Sequence, residues 1–166
     1  MKNIMLPAKS CSIILCSLLL LAAGCKKDEP TPTPETFNSN VSAPTWAAPE
    51  DYDMTSSMTA VIKVDLAAQY PDIAKDFVLN DNDLLAAFSG ETCLGVAVPD
   101  DGLFFLFVAQ PMANSPVGSA IGNITLRYYS TYYKNLFEAK DAFPYVSDSN
   151  QGSADTPFLP AFVVMK

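Results

Sequence analysis

From Met58 to the C-terminus, the apolar residues of this chain come in short runs that end at turn-forming residues, and none of these runs has the spacing of a long amphipathic helix. Residues 58–66 largely alternate between apolar and polar side chains, which is the pattern of a strand with one buried face. Residues 103–109 are apolar at every position and are bounded by turn residues, so we predict a strand that is covered on both faces. Short strands without a helix to cover them can bury a core only as packed sheets.

Two hairpins are predicted from the turn residues. Residues 84–88 and 92–98 are apolar runs on either side of Gly90, and glycine reaches a positive φ in a tight turn without a Cβ clash. A second hairpin joins residues 123–129 to residues 136–139, because the Lys-Asn pair between them ends in a residue that tolerates left-handed backbone.

These features together predict an all-β fold. Residues 157–165 supply a closing strand, which brings the number of strands to about seven. Short strands spaced by turns are typical of an antiparallel β-sandwich, of the immunoglobulin-like or jelly-roll-like kind. We place this domain at residues 44–166, and we expect the side chains of Phe88 and Phe105 to be buried in it.

The N-terminal segment predicts export. Residues 1–24 carry two lysines and then an uncharged apolar run that ends at small residues, which is the pattern of a secretory signal and too short to span a bilayer. The Leu-Ala-Ala-Gly-Cys sequence at residues 21–25 resembles the lipobox of bacterial lipoproteins, in which the signal is removed before Cys25 and that cysteine is lipidated. An ordinary secreted protein that is cleaved nearby is the alternative.

Residues 25–43 are predicted to be the lipidated cysteine and a flexible tether. Alternating prolines at residues 30–34 favour an extended polyproline II conformation. The Lys-Lys-Asp-Glu sequence at residues 26–29 resembles the signal that sends lipoproteins of the Bacteroidota to the outside of the outer membrane, and a charged start of the tether is the alternative. We therefore expect a lipid-anchored protein of the outer membrane that is exposed on the cell surface, with the periplasmic face as the alternative.

The charge of the chain excludes several classes of function. The formal net charge is −8 at pH 7 and the chain has no histidine. An acidic surface does not attract the phosphate backbone of nucleic acids. Without histidine there is no Ser–His or Cys–His dyad and no imidazole metal site. We expect no enzymatic activity, no cofactor and no metal ion.

Turn carboxylates are the one feature that points the other way. They could serve as calcium ligands or as the acid pair of a glycosidase, but we favour the interpretation that they cap turns. The residues concerned are Asp81, Asp83, Glu91, Asp100 and Asp101.

The sequence of residues 83–97 resembles a β-sandwich module of Bacteroidota surface and secreted proteins. The module has an acidic residue, a hydrophobic pair, Ala-Phe, a turn with glycine, and then Cys, Gly, Val and Ala in the spacing Cys-x-Gly-Val-Ala, as this chain has at Cys93 to Ala97. The resemblance extends loosely over residues 58–165. It implies a β-sandwich with an accessory or unassigned role and no catalytic residues. On physical grounds, Gly95 leaves room for a close neighbour.

Aromatic side chains are the candidate ligand-binding residues. Tyr128, Tyr129, Tyr132 and Tyr133 are so close in sequence that a strand must point some of them away from the core. Tyr132 and Tyr133 fall near the tip of the second hairpin, and Trp46 lies between two prolines at the entrance of the domain. Exposed aromatic rings stack on sugars or anchor protein partners. Cross-strand packing of the tyrosines and an extended segment pinned by the tryptophan are the alternatives.

The predicted function is that of a non-enzymatic binding or accessory module of the cell envelope. Its partners would be the membrane, through the N-terminal lipid, and a glycan or a surface protein, through the site of Trp46, Tyr129, Tyr132 and Tyr133. The alternative is a structural component of the cell surface, of the kind found in fimbriae, whose sheet edges mediate assembly.

Overall fold

The computed structural model describes residue 37 and residues 40–112 and 121–165. These residues form ten strands and one short helix, and the strands lie in two sheets that pack around one hydrophobic core. The predicted antiparallel β-sandwich is therefore confirmed, with about ten strands rather than seven. The predicted signal peptide and Cys25 lie outside the described residues.

The first sheet contains four strands, which are β1 (Tyr52–Ile62), β4 (Pro99–Asp100), β5 (Leu103–Pro111) and β9 (Asn150–Gln151). They lie in the order β4-β5-β1-β9. The long strands β1 and β5 are antiparallel, and the short β9 is parallel to β1.

The second sheet contains six strands, which are β2 (Leu84–Ser89), β3 (Thr92–Ala97), β6 (Asn123–Ser130), β7 (Asn135–Ala139), β8 (Phe143–Pro144) and β10 (Phe162–Val164). Five of them lie in the order β10-β7-β6-β2-β3, and β8 pairs with the start of β6. The short helix α1 (Leu66–Gln69) follows β1. Among the described residues, no helix is long and apolar enough to cross a membrane.

Both predicted hairpins are present. β2 and β3 are antiparallel and turn at Gly90, whose φ is 59°. β6 and β7 are also antiparallel, but the residue with left-handed backbone in their turn is Lys134, with a φ of 46°, and not Asn135. The side chain of Asn135 is buried and donates a hydrogen bond to the carbonyl oxygen of Phe37 at 3.2 Å. This hydrogen bond to Phe37 therefore holds Asn135 at the start of β7 and not in the turn.

The prediction that β5 is covered on both faces is wrong. Phe104, Leu106 and Val108 face the second sheet and are almost fully buried. Phe105 and Phe107 face the other way and are 49% and 37% exposed, so the expected burial of Phe105 is wrong as well. A continuous apolar run is typical of a strand between two layers, but among the described residues only one layer covers this sheet.

Phe88 is buried as predicted, but it does not lie between the sheets. Its neighbour Ala87 is part of the core, so the ring of Phe88 points to the outer face of the second sheet. There it contacts the Trp46 ring in an edge-to-face geometry, with ring centroids 5.7 Å apart, and the guanidinium of Arg127 lies 4.3 Å from its centroid. The N-terminal segment therefore covers part of this outer face.

The folded part of the chain begins before residue 44. Phe37 falls in the predicted tether, yet it is 2% exposed and belongs to the core. Its ring packs edge-to-face against Tyr70, Tyr133 and Phe137, with centroid distances of 5.1, 4.9 and 5.2 Å. A single phenylalanine in a stretch rich in Pro and Thr gives no periodic signal, which is why the sequence placed it outside the domain.

Candidate functional site

The turn between β6 and β7 is held in place by the buried carboxylate of Asp83, which precedes β2. This carboxylate accepts hydrogen bonds from the Tyr128 hydroxyl at 2.5 Å, and from the amide and hydroxyl of Thr131 at 2.7 and 2.6 Å. It also accepts one from the amide of Asn80 at 3.1 Å. Burial and the neighbouring Asp83 charge raise the pKa of Tyr128, so its hydroxyl keeps its proton as a donor. The position of the turn is therefore fixed relative to the sheet.

A cleft of about 370 Å³ opens at this turn, lined by Asn40, Tyr132, Tyr133 and Lys134. Its volume is at the lower end of the range for small-molecule sites, about 300–1,000 Å³. The ring of Tyr132 is 61% exposed. It meets the ring of Tyr133 nearly at a right angle, with centroids 4.8 Å apart. The cleft therefore presents one exposed aromatic ring against a second, more buried one.

Tyr133 is held from its inner side by the core. The Phe77 ring is stacked on it, with an interplanar angle of 12° and centroids 6.3 Å apart, and Phe37 contacts it edge-on. Burial raises the pKa of Tyr133, and the neighbouring Tyr132 and Asp76 raise it further. The hydroxyl of Tyr133 is therefore protonated at neutral pH. In this form it can both donate and accept a hydrogen bond.

The opposite side of the cleft is formed by the N-terminal segment. Asn40 has a left-handed φ of 57°, as Lys134 does across the cleft. The amide of Val41 donates to the carbonyl oxygen of Lys134 at 2.8 Å, and the Tyr129 hydroxyl donates to the carbonyl oxygen of Val41 at 3.1 Å. Non-glycine residues with positive φ are uncommon and often occur at functional sites. Here two of them line one cleft.

The structure brings together only two of the four predicted ligand-binding residues. Tyr132 and Tyr133 line the cleft. Tyr129 is buried and its hydroxyl is bonded to the N-terminal segment, so it supports the cleft without lining it. Trp46 packs on Phe88 and does not line the cleft.

Asn40 and Lys134 are the lining residues that sequence analysis missed. Lys134 directly follows the two tyrosines in the sequence. Its position at the hairpin tip could therefore have predicted that it lies at the same site. Asn40 lies in the stretch assigned to the tether, and no local pattern marks it. The packing of Phe37 and the hydrogen bonds of Val41 bring Asn40 to the cleft.

The turn carboxylates do not gather at one point. In the part of the chain that the structure describes, no group of three or more acidic or cysteine residues is placed to hold a metal ion. Asp83 is occupied by its four hydrogen bonds. Glu91 forms a two-point ion pair with Arg127, with oxygen to nitrogen distances of 3.1 and 3.2 Å, and this contact lowers the pKa of Glu91. Both therefore have structural partners.

A second exposed feature lies on the outer face of the first sheet. We call it the apolar strip and define it by Val61, Phe105 and Phe107, which line a shallow cleft of about 260 Å³ together with Thr59. The ring of Tyr52 contacts the Phe107 ring, with centroids 5.3 Å apart. Exposed patches of this kind are often interaction surfaces.

No protein family matches this chain, and searches of curated proteins and of solved structures also found no match.

Proposed function

We propose that this chain is a lipid-anchored, non-enzymatic binding module of the bacterial cell envelope, and that it holds a glycan or a surface protein in the cleft at the β6–β7 turn. The observation that carries this proposal is the ring of Tyr132, which is 61% exposed yet fixed against a second aromatic ring. Large aromatic rings held at an exposed position are typical anchors of binding sites. Among the described residues that line the cleft, none has a carboxylate or a thiol.

The binding proposal is tested by replacing Tyr132 with alanine. We expect at least a tenfold loss of affinity in arrays of bacterial glycans and surface proteins probed with the full chain, because an aromatic anchor often contributes about 2 kcal/mol or more. The thermal midpoint should change little, since the ring is largely exposed. Tyr133 is unsuitable for this test because it packs on Phe77 and on the core residue Phe37.

Tyr52→Ala is the matched control. It removes a tyrosine ring that contacts the apolar strip and leaves the cleft residues in place. The proposal requires that Tyr52→Ala retains the array signals that Tyr132→Ala loses. Equal signals from both variants and the unchanged chain would rule out the cleft as the binding site.

The proposed anchor is a lipid on Cys25. We expect Cys25→Ser to accumulate as an unprocessed precursor, because the hydroxyl cannot replace the thiol in lipidation. Metabolic labelling with a fatty acid, together with the mass of the mature chain, measures this. Labelling of the Cys25→Ser variant, or normal maturation of it, would contradict the lipoprotein proposal.

The apolar strip favours a second candidate function, which is assembly of copies of this chain on the cell surface. Assembly through strand edges has less support at the second sheet, because one of its edge strands, β10, is already occupied. On β10, Phe162 accepts from the Tyr70 hydroxyl at 2.7 Å and donates to the Gln69 side chain at 2.6 Å. Sedimentation in detergent measures the oligomeric state of the full chain and of its Phe105→Lys variant. Comparing the two tests assembly through the face of the first sheet.

A further inference from the structure

We infer that the ligand of the cleft at the β6–β7 turn is a neutral carbohydrate, and that one of its pyranose rings stacks on Tyr132. This inference rests on the proposed function and narrows its ligand to one chemical class. Four features carry it: the exposed ring, the polar groups around that ring, the absence of an apolar pocket among the described residues and the net charge of the chain.

The exposed ring and its surroundings match the two kinds of surface on a sugar. A pyranose has a face of C–H groups, which packs on an aromatic ring, and a rim of hydroxyls, which needs hydrogen-bond partners. Tyr132 offers the ring, and the amide of Asn40 and the hydroxyl of Tyr133 offer donors and acceptors. The cleft of about 370 Å³ is open to solvent, so a sugar within a longer chain can enter it.

A peptide fits this cleft less well. Peptide and protein partners gain most of their affinity from apolar side chains that enter a desolvated pocket. At this site the inner side of Tyr133 is already occupied by Phe37 and Phe77, so the described residues form no such pocket behind the exposed ring. Strand addition requires a free edge, but β7 lies between β6 and β10.

The net charge of the chain favours a neutral ligand over a polyanionic one. The described charges at the cleft have opposite signs, because Lys134 lines it and Asp76 acts on the neighbouring Tyr133, and the chain as a whole carries a formal charge of −8. A polyanionic glycan would be repelled by this field, whereas a neutral one would not.

The experiment compares three sets of probes on the full chain in detergent micelles: neutral oligosaccharides, uronic-acid oligosaccharides of the same length, and unstructured peptides. We expect binding to members of the neutral set. Tyr132→Ala should weaken it at least tenfold, whereas Tyr132→Phe, which keeps the ring, should remain within about threefold. Asn40→Gly tolerates the same backbone conformation, so it tests the amide alone and should weaken binding about three- to tenfold.

The outcomes separate this inference from the proposed function. Binding of peptides or acidic glycans alone, with loss in Tyr132→Ala, would overturn the neutral carbohydrate and leave the cleft as a binding site. Binding to no neutral oligosaccharide of the set would also overturn it. If Tyr132→Ala binds every probe as well as the unchanged chain does, both the inference and the proposed cleft are wrong.

Discussion

Replacing Asp83 with alanine should lower the free energy of unfolding by about 3–5 kcal/mol, out of a total of about 5–15 kcal/mol for a domain of this kind. The carboxylate is fully buried and accepts four hydrogen bonds from Asn80, Tyr128 and Thr131. Without it, the Tyr128 hydroxyl loses the carboxylate oxygen that accepts its hydrogen bond in the core, and the loss of a partner by a buried donor costs free energy. The turn that carries Tyr132 also loses its attachment to the start of β2.

Urea unfolding, followed by circular dichroism, measures this effect. Asp81→Ala is the matched control, because Asp81 is an exposed aspartate in the same turn region, and its midpoint should stay close to that of the unchanged chain. Asp83→Asn keeps one carbonyl oxygen as an acceptor and should fall between the two. An Asp83→Ala midpoint equal to that of Asp81→Ala would show that the carboxylate does not hold the turn.

Replacing Gly95 with alanine should lower the free energy of unfolding by about 3 kcal/mol or more, because the backbone of β5 lies directly against Gly95 of β3. A Cβ on Gly95 would collide with the carbonyl oxygen of Phe107 on β5 and would lie 3.1 Å from its carbonyl carbon. Both obstacles are backbone atoms, so no side-chain rotation can relieve the clash. The strands would have to separate, which would open the core at Leu106.

Gly122→Ala is the control for Gly95→Ala, because a Cβ at Gly122 meets no other atom within 4 Å. The glycine-to-alanine change also restricts the unfolded chain, which by itself stabilises by about 0.4–1 kcal/mol. Gly122→Ala is therefore expected to be neutral or slightly stabilising. If differential scanning calorimetry finds the same unfolding temperature for both variants, the close approach of β3 to β5 is not rigid.

Local patterns were sufficient to predict the two hairpins of this fold. The turn at Gly90 and the alternation of residues 123–129 depend on interactions between near neighbours, and both hairpins form as expected. The strands with two residues each were not predictable, because a pair of residues shows no periodicity.

The candidate site was predictable only in part. Tyr132 and Tyr133 were placed at a hairpin tip by the sequence, and they line the cleft. Tyr129 was expected to be available because its neighbour Tyr128 points into the core. It is instead covered, because Val41 lies over the outer face of the second sheet. The alternation of a strand assigns side chains to opposite faces, but it does not say which faces other segments will cover.

The amino-acid sequence by itself determined that this chain folds into two packed sheets, because period-two patterning and turn residues act over a few neighbouring positions. Only the tertiary structure decided that Phe37 belongs to the core, that Phe105 is exposed and that Asn40 completes the cleft. Each of these outcomes depends on contacts between residues far apart in the chain. Burial depends on how the layers assemble, whereas the local sequence of a segment indicates only how apolar that segment is.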